Sequence, residues 1–580
     1  MPMLVRSLGN LSDTVTIDFK ISKVVIQNFR GIDALEIELK FGYPSVLIGS
    51  NNAGKTAVLN AIALALNGGD YYRYEVDEND FYCSDAGVRS RNFLVQVHFH
   101  SNDTLGYPAV KGVGAVSMVH GVQVKGTMTK DGRMSHSRTL FDETGKPITI
   151  LPRTPVAAAD KAKFAEHDVG FKTVNAKLSD VATHTPEIWF FRPQNIEASL
   201  YVWKTGPIAR LSKLLAERYL QDEWDYKLPD GSTRPMPKAV TAAYKFFQQS
   251  TSELPFWKED MKPRLERVIG KYVGTHAKID LRPDTQLIED WLAQKLAVSL
   301  ATDPDSVATP LRKMGDGWQS VIRLAALEAL CEYADVVKER IILLLEEPET
   351  HLHPHLRRKV RKVLSALAAK GWTVVYTTHS AELVSFQERQ VITRLVRVRG
   401  KVISRSVNTD DIDDPAKLQS KLDDNGSHDF LFGTCAVFCE GQNDTFAIRQ
   451  GFDKLDLDYD ARSVSIMQCG GVSGIPAFAR IARTLGIRWC ALTDEDMLPT
   501  GEIKPATQQA RDALDRLKDD PDMQIQWTID LEHCLSVIEG KAAPEVVAEI
   551  LASPQWQANH PEFKSTLAAI AAWIDPATVA

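Results

Sequence analysis

The sequence lacks long apolar runs. No stretch approaches the roughly 20 consecutive apolar residues that a membrane-spanning helix needs. The first 20 residues carry no long apolar segment of the kind found in secretory signal peptides. We therefore expect a cytoplasmic protein that does not associate with a membrane.

Cysteine and net positive charge are also scarce. Seven cysteines in 580 residues form an odd, thinly spread set with no disulfide framework, which fits a reducing compartment. A formal net charge of −7 argues against a histone-like basic binder but leaves room for a local basic groove. Hydrophobic content of 44% is ordinary for globular domains, so a buried core is expected.

A glycine loop near the N-terminus has the surroundings of a phosphate-binding site. The apolar run 44–48 predicts a buried strand, and residues 56–66 predict a helix. Between them, backbone N–H groups and the helix N-terminus would face phosphates, Lys55 would supply a cation and Thr56 a hydroxyl for Mg²⁺. A chance match in a glycine-rich turn would lack the flanking strand and helix. The predicted ATP contacts here are Asn51, Asn52, Ala53, Gly54, Lys55 and Thr56.

An acidic pair follows a second buried run about 300 residues later. Residues 341–345 predict a parallel strand covered on both faces, and Glu346 and Glu347 come directly after it. Glu346 takes the metal-side position, and Glu347 is placed to orient the water that attacks ATP. The alternative is a strand end with two exposed acids.

Two further features would complete a cassette-type ATP site. His379 follows the strand predicted at 373–376, where a histidine of a cassette ATPase contacts the γ-phosphate. Gly317 and Gln319 lie in a glycine turn that opens a helix and looks like a signature motif. Such a motif meets the nucleotide of a second subunit, so it predicts a homodimer or a higher even-numbered oligomer. The alternatives are a structural histidine and an ordinary glycine turn.

The rest of the chain suggests an interrupted ATPase followed by a smaller α/β unit. Helical patterns at 209–220 and 287–300 predict a mainly helical insertion, and an acidic run at 410–414 predicts a linker. The expected domains are 1–165 and 301–410 for the ATPase, 166–300 for the insertion and its dimerisation surface, and 411–580 for the C-terminal unit.

Acidic residues follow two strands predicted in the C-terminal unit, at 436–439 and 489–492. Glu440 comes directly after the first strand, and Asp494 and Asp496 after the second. Because alternate residues of a strand share a face, we expect Asp494 and Asp496 to point together and to form an oxygen-rich pocket with Glu440. Such a pocket suits Mg²⁺ or Mn²⁺. The alternative is that these are ordinary acids at strand ends.

The same unit supplies further candidate residues. Asp444 lies four residues after Glu440, and Asp530 and Glu532 follow the strand-like segment 523–529, where they could complete a second metal site. Lys541 is near enough in sequence to neutralise a phosphate. The unit's cysteines are expected to be packed thiols: Cys435, Cys439, Cys469, Cys490 and Cys534.

Together these motifs resemble the OLD (overcoming lysogenisation defect) family, in which a cassette-type ATPase precedes a Toprim nuclease domain. The match comprises NFRG at 28–31, the phosphate loop, GDGWQ, LLLEEPETHLHP, TTHS, LFGTCAVFCEG and LTDED. It adds Arg30 to the nucleotide-binding set and implies a metal site made of Glu440, Asp444, Asp494, Asp496 and Glu532, with Lys541 as a downstream lysine. Glu495 is an extra acid in the LTDED motif. The architecture and length also resemble the A subunit of the Gabija anti-phage system.

The resemblance implies an ATP-regulated, metal-dependent endonuclease that acts on double-stranded DNA in anti-phage defence, with a helicase-like partner in the Gabija case. One rival is a DNA repair or recombination ATPase whose Toprim domain binds DNA without cutting it. A topoisomerase or primase would need a cleavage tyrosine module or a zinc motif, neither of which we recognise. A transporter subunit would not need the C-terminal unit.

Overall fold

This computed structural model describes residues 20–66, 75–100, 109–111, 116–150, 174–175, 187–192, 223–227, 233–237, 256–273, 278–283, 296–301, 308–310, 313–333, 341–425, 428–519, 521–537 and 542–574. The chain divides into two compact units. The first comprises Met1–Val46, Gly54–Leu383 and Arg397–Val402, and the second comprises Leu47–Ala53, Val384–Val396 and Ile403–Ala580.

The elements up to residue 377 follow one another in this order: β1 (Ile21–Phe29), β2 (Ile32–Glu38), β3 (Ser45–Ile48), α1 (Lys55–Leu66), β4 (Asn92–Phe99), β5 (Ala109–Lys111), β6 (Val116–Met118), β7 (Gly121–Met128), β8 (Met134–Phe141), β9 (Thr149–Ile150), β10 (Val174–Asn175), β11 (Glu187–Phe191), β12 (Glu223–Lys227), β13 (Thr233–Pro237), α2 (Lys262–Val273), β14 (Lys278–Pro283), β15 (Leu296–Ala301), β16 (Thr309–Pro310), α3 (Asp316–Tyr333), β17 (Ile341–Glu346), α4 (Pro354–Ala369) and β18 (Thr373–Thr377).

The elements from residue 391 onward are β19 (Val391–Val398), β20 (Lys401–Asn408), α5 (Pro415–Asn425), β21 (Cys435–Cys439), α6 (Gln442–Lys454), β22 (Val464–Gln468), α7 (Ile475–Thr484), β23 (Arg488–Thr493), α8 (Pro505–Leu517), β24 (Met523–Gln526), α9 (Leu531–Cys534), α10 (Pro544–Ala552), α11 (Trp556–Asn559) and α12 (Pro561–Ile574).

An antiparallel sheet with the order β2-β1-β4-β7-β8 forms one layer of the first unit. Buried and more exposed residues alternate along β4, so one face of this strand packs inward.

Helix α1 lies between two layers of the first unit. It contacts β1, β4 and β7 of the antiparallel sheet and also β11, β17 and β18. Because it has a sheet on each side, almost every residue of KTAVLNAIALAL is buried. A helix that is apolar around its whole circumference is stable only in such a buried position.

The second sheet has the order β11-β17-β18-β3-β19-β20. β17 pairs in parallel with β11 and with β18. The first five residues of β17, IILLL, are all buried, as expected for a parallel strand covered on both faces. The predicted strands at 44–48, 341–345 and 373–376 are confirmed here.

The expectation of a mainly helical insertion does not match what the structure describes of residues 166–300. Strands β10 to β15 fall in this range, beside π-helical residues Phe256–Met261 and helix α2. The prediction of a helical pattern over residues 287–300 is wrong at its C-terminal end, because Leu296–Ala301 is a strand that pairs antiparallel with β14. Periodicity alone cannot separate a short buried strand from a buried helix. The segment 209–220 lies outside the described residues, and the three predicted domain boundaries stay predictions.

The C-terminal unit has a four-stranded parallel sheet with the order β22-β21-β23-β24. Successive residues of β21 alternate between its faces: Val437 joins a core that includes Phe452 and Phe563, and Phe438 contacts Phe478. The predicted strands at 436–439 and 489–492 are confirmed. The five cysteines expected to be packed thiols are free and buried. None of the described helices is long and apolar enough to cross a membrane.

Candidate functional site

The phosphate loop, residues 49–56, connects β3 to α1. Gly49 has φ 140°, and a Cβ placed there would lie 2.2 Å from the carbonyl oxygen of Leu395. Gly54 has φ 99°, so both positions require glycine. The turn immediately precedes a helix N-terminus, which favours bound anions. It contains the predicted phosphate contacts Asn51, Asn52, Ala53 and Gly54.

Thr56 and Lys55 lie beside the acidic end of β17. Oγ1 of Thr56 donates a 2.6 Å hydrogen bond to Oε1 of Glu346. The side chain of Lys55 is buried, and burial lowers its pKa to about 8, although Glu347 and Glu349 act in the opposite direction. The two predicted halves of the ATP site, 290 residues apart in sequence, therefore meet in the fold.

Glu347 and His379 face each other at the same edge. Glu347 has φ 44°, and its backbone N–H donates to the carbonyl oxygen of Thr377 at 3.2 Å. Its Oε1 lies 3.7 Å from Nε2 of His379. Burial, and then the charge of Lys55, lowers the pKa of His379, which favours the neutral imidazole. The structure brings these two predicted residues together, and their roles toward water and the γ-phosphate stay predictions.

Sequence reasoning gave no role to Glu349, which fixes this edge. The carboxylate is buried, and its Oε1 accepts hydrogen bonds from Oγ1 of Thr378 at 2.7 Å and from the backbone N–H of His379 at 2.9 Å. Burial raises its pKa. The only sequence signal was a third acid after the predicted pair, and spacing does not show that this acid points inward.

Gly317 and Gln319 lie in the first turn of α3. A Cβ on Gly317 would lie 2.9 Å from the carbonyl oxygen of His351, so the helix start packs closely against the segment after β17. Nε2 of Gln319 donates to the carbonyl oxygen of Met314 at 2.8 Å. In this chain Gln319 therefore closes its own turn, and its role toward a second subunit stays a prediction.

Arg30 is held by a buried aspartate. Its Nε lies 3.1 Å from Oδ1 of Asp80, which is 1% exposed, and its backbone N–H donates to the carbonyl oxygen of Asp80 at 2.9 Å. Arg30 has φ 51°, in the left-handed region. These contacts fix its backbone, and its proposed contact with nucleotide stays a prediction.

Glu440 and Asp494 follow the two central strands of the C-terminal sheet. The chain passes from β21 to β22 on one side and then returns to β23 on the other, so the order of strands reverses between β21 and β23. In open parallel sheets, ligands bind at the carboxyl ends of the strands at such a reversal. Oε1 of Glu440 accepts a 2.9 Å hydrogen bond from the backbone N–H of Asp494, which holds the two residues together.

Glu440 and Asp494 both have raised pKa values. Burial, together with the charges of Asp496 and Asp444, raises the pKa of Glu440 to about 7. Burial and then the charge of Glu440 raise the pKa of Asp494 to about 8. The raised pKa values show that the cations at this edge, Lys504 on Asp496 and Arg511 at the backbone of Asp494, do not offset the burial and mutual repulsion of the two carboxyl groups.

The other predicted acids lie around this pair. Asp444 is buried in the first turn of α6, and its Oδ2 accepts from the backbone N–H of Gly441 at 3.0 Å. Its pKa is raised by burial and by the charge of Glu532. Glu532 itself accepts from the backbone N–H of Ala542 at 2.9 Å. Lys541 lies outside the described residues.

Asp496 departs from the expected arrangement. Strand β23 ends at Thr493, and Asp496 has φ 54°, so the alternation of a strand does not extend to it. Its Oδ1 lies 2.5 Å from Nζ of Lys504, and its Oδ2 accepts from Oγ1 of Thr507 at 2.7 Å. The expectation that Asp494 and Asp496 point together from one strand is wrong, because the apolar pattern does not mark where β23 ends.

The acids suit a divalent cation in their chemistry, although they do not converge as they stand. Carboxylate oxygens are the ligands that Mg²⁺ and Mn²⁺ prefer. Across the described ranges, no three His, Cys, Asp or Glu side chains are grouped closely enough to hold a metal ion. Lys504 and Thr507 occupy both carboxylate oxygens of Asp496, so Asp496 would have to leave Lys504 to join Glu440 and Asp494 at a metal ion.

Three family models match this chain. Residues 19–185 match "AAA ATPase domain" and residues 215–385 match "AAA domain, putative AbiEii toxin, Type IV TA system". Residues 431–496, which contain Glu440 and Asp494, match "Overcoming lysogenization defect protein-like, TOPRIM domain". The chain joins a P-loop ATPase fold to an OLD-like Toprim domain.

Similar proteins share this arrangement over most of their length. The OLD nuclease of Thermus scotoductus is 23% identical over 521 residues, which cover 87% of this chain and 88% of that protein. The Old nuclease of Escherichia phage P2 is 22% identical over 502 residues, covering 83% and 78%. The uncharacterized protein YbjD of Escherichia coli is 22% identical over 535 residues, covering 88% and 86%. The similarity therefore spans both the ATPase and the Toprim parts.

Basic and hydroxyl groups on α8 border the Toprim acids, and sequence reasoning missed them. Lys504 and Thr507 bind Asp496, and Nη2 of Arg511 donates to the carbonyl oxygen of Asp494 at 2.6 Å. Thr507 and Arg511 lie four residues apart on one face of α8, and Lys504 directly precedes the helix. This spacing was the available signal, but it gains meaning only once the helix is known to lie beside the acids.

Proposed function

We propose that this chain is an ATP-regulated, Mg²⁺- or Mn²⁺-dependent endonuclease that nicks or cleaves double-stranded DNA. The observation that carries the proposal is the pair of Glu440 and Asp494 at the strand reversal of an OLD-like Toprim sheet, joined by a 2.9 Å hydrogen bond. Relatives named OLD nucleases, similar over most of the chain, support it.

The acids of the Toprim domain divide the chemistry among them. Bound Mg²⁺ would supply the positive charge that lowers the pKa of the attacking water and stabilises the leaving oxygen of the phosphodiester. Asp494, Asp496 and Asp444 would hold that ion, and Glu532 would complete a second position. Glu440, whose pKa is raised to about 7, would accept the proton of the attacking water.

The ATPase domain would bind ATP with Mg²⁺ through the residues that meet at the end of β17. Lys55 would contact the β- and γ-phosphates, and Thr56 and Glu346 would hold the ion. Glu347 would orient water, and His379 would contact the γ-phosphate. Since phosphodiester hydrolysis needs no energy from ATP, nucleotide would act by favouring one arrangement of the protein, and we assign bound ATP a restraining effect on cleavage.

Assembly and biological role follow as further parts of the proposal. Gly317 and Gln319 would complete a partner's ATP site, which requires a homodimer or a higher even-numbered oligomer. A role in anti-phage defence in the cytoplasm, with a helicase-like partner of the Gabija type, rests on the sequence resemblance. Phage plaque counts on cells expressing the parent or the Asp494→Asn protein test this role, which requires protection by the parent alone.

Nicking of supercoiled plasmid tests the enzymatic proposal. The parent protein should convert supercoiled DNA to relaxed circles in Mg²⁺ or Mn²⁺, and excess EDTA should stop the conversion. The protein should still cut the plasmid when metal is present and ATP is left out of the reaction. Absence of cleavage across both metals, with and without nucleotide, would overturn the proposal.

A second function is favoured by one observation. Lys504 and Thr507 donate hydrogen bonds to the carboxylate of Asp496, so the acidic side chains are not arranged around a common point. A DNA repair or recombination ATPase whose Toprim domain only binds DNA would retain this arrangement in the presence of metal and DNA. Such a protein would shift labelled duplex DNA in a gel without cutting it.

A further inference from the structure

The N-terminus of α8 occupies both oxygens of Asp496. Lys504, the residue before α8, places Nζ 2.5 Å from Oδ1, and Thr507 donates to Oδ2 at 2.7 Å. The backbone N–H of Lys504 also donates to the carbonyl oxygen of Asp496 at 2.9 Å. Asp496 therefore accepts three hydrogen bonds from one short segment, two through its carboxylate and one through its carbonyl oxygen. The two carboxylate bonds hold its side chain toward α8.

A tight hairpin fixes this arrangement. Met497 and Ile503 form an antiparallel bridge, and the backbone N–H of Leu498 donates to the carbonyl oxygen of Glu502 at 2.7 Å. Gly501 has φ 83°, which closes the turn. Because Asp496 and Lys504 flank the two ends of this hairpin, their ion pair is held in place by local backbone geometry.

The ion pair is accessible to competing ions. The side chain of Lys504 is 50% exposed and that of Asp496 is 22% exposed. A hydrogen-bonded ion pair of this exposure is screened by solvent and contributes little to the stability of the fold. A divalent cation beside Glu440 and Asp494 could therefore displace the ammonium group from Asp496 at small cost.

We infer that Lys504 is a positioning residue that competes with the metal for Asp496. Without metal, its ammonium and the Thr507 hydroxyl occupy both carboxylate oxygens of Asp496. When Asp496 turns to the metal, the ammonium is released at the edge of the sheet where the scissile phosphate would lie, and there it binds that phosphate. This inference rests on the proposed nuclease function and deepens it, since it gives Lys504 the phosphate-neutralising part expected of Lys541.

Two readouts should move in opposite directions in the Lys504→Gln protein. Removal of the competitor should tighten Mn²⁺ binding in the absence of DNA by about two- to fivefold, the range that a partly exposed ion pair contributes. Loss of the phosphate contact should raise the KM for DNA. If Lys504 only supported the fold, its replacement would weaken both Mn²⁺ binding and DNA binding. Lys504→Arg should restore values near those of the parent, and Thr507→Val should tighten Mn²⁺ binding by a smaller factor.

The experiment is a calorimetric titration of the full-length protein with Mn²⁺, without DNA or nucleotide. Asp494→Asn defines the Toprim component, because binding that survives this change belongs elsewhere. Lys518→Gln, which removes the same charge at the far end of α8, is the matched control and should leave the Kd unchanged. If the parent shows no Mn²⁺ binding that depends on Asp494, the proposed function fails. If it does and Lys504→Gln leaves the Kd unchanged or weaker, this inference alone is overturned.

Discussion

Oγ1 of Thr56 donates a hydrogen bond to Oε1 of Glu346 across 2.6 Å, although 290 residues separate them in sequence. Thr56 lies in the first turn of α1, and Glu346 ends β17, the strand on which α1 packs. The hydroxyl and the carboxylate are the two protein groups expected to hold Mg²⁺ beside the phosphates of ATP. Their contact supports a single nucleotide site built from distant parts of the sequence.

Lys55→Ala should separate nucleotide sensing from DNA cleavage. Lys55 lies among Glu346, Glu347 and Glu349, so its loss should abolish the ATP response and leave metal-dependent nicking intact. A coupling of about 1–3 kcal/mol between the two sites would appear in the parent as a change in rate of roughly 5- to 150-fold with ATP. The measurement is nicking rate against ATP at fixed free Mg²⁺, since ATP chelates the metal. An unchanged ATP response in Lys55→Ala would exclude gating through this site.

Gly49→Ala should destabilise the protein and weaken nucleotide binding. The added Cβ would lie 2.2 Å from the carbonyl oxygen of Leu395, so the backbone must shift at a cost of about 1–3 kcal/mol. Gly132→Ala is the matched control, because Gly132 also has positive φ but nothing lies within 4 Å of its added Cβ. Thermal unfolding and binding of a fluorescent ATP analogue measure both effects. Equal losses in the two variants would contradict the close approach.

The Toprim acids predict an unusual pH dependence of stability in metal-free buffer. The pKa values of Asp494 and Glu440, about 8 and about 7, exceed their ordinary values, so the folded state holds more protons than the unfolded state. Stability should therefore fall as pH rises from about 4 to 8. Asp494→Asn should remove part of this loss and exceed the parent in Tm at pH 8 in EDTA. A difference in Tm between parent and variant that stays constant with pH would contradict the raised pKa.

Much of this fold was predictable from local patterns. Buried parallel strands such as β17 and β21 are short apolar runs, and the acids that end them, Glu346 and Glu440, are therefore visible in sequence. The direction of a side chain could not be predicted where it depends on the residue at which a strand ends. Asp496 appeared to continue β23, but the strand ends at Thr493 and a hairpin directs Asp496 to Lys504.

Other misses have the same physical origin. The apolar run LAVSLA can be buried as either a helix or a strand, and only its pairing with β14 decides between them. Glu349 had no role predicted from the sequence, whereas its burial and its hydrogen bond from the backbone of His379 make it a structural support. Long-range contacts of this kind have no signature in spacing.

The protein should be a homodimer or a higher even-numbered oligomer. A signature helix that begins with Gly317 and Gln319 would have its nucleotide partner on a second chain. Multi-angle light scattering at working concentration, with and without ATP, measures the mass. A monomer of 64.5 kDa under both conditions would contradict this assembly.

The most direct test of the nuclease account compares two neighbouring acids in one assay. Plasmid nicking under single-turnover conditions in Mg²⁺ should be lost in Asp494→Asn. It should persist in Glu495→Gln, which removes a carboxylate from the next residue. Glu440→Gln should lower the rate by at least about 100-fold, as expected for loss of a general base. Circular dichroism and Tm should show that all three variants are folded. Nicking at the parental rate by both Asp494→Asn and Glu440→Gln would contradict the assignment of the Toprim site as the nuclease centre.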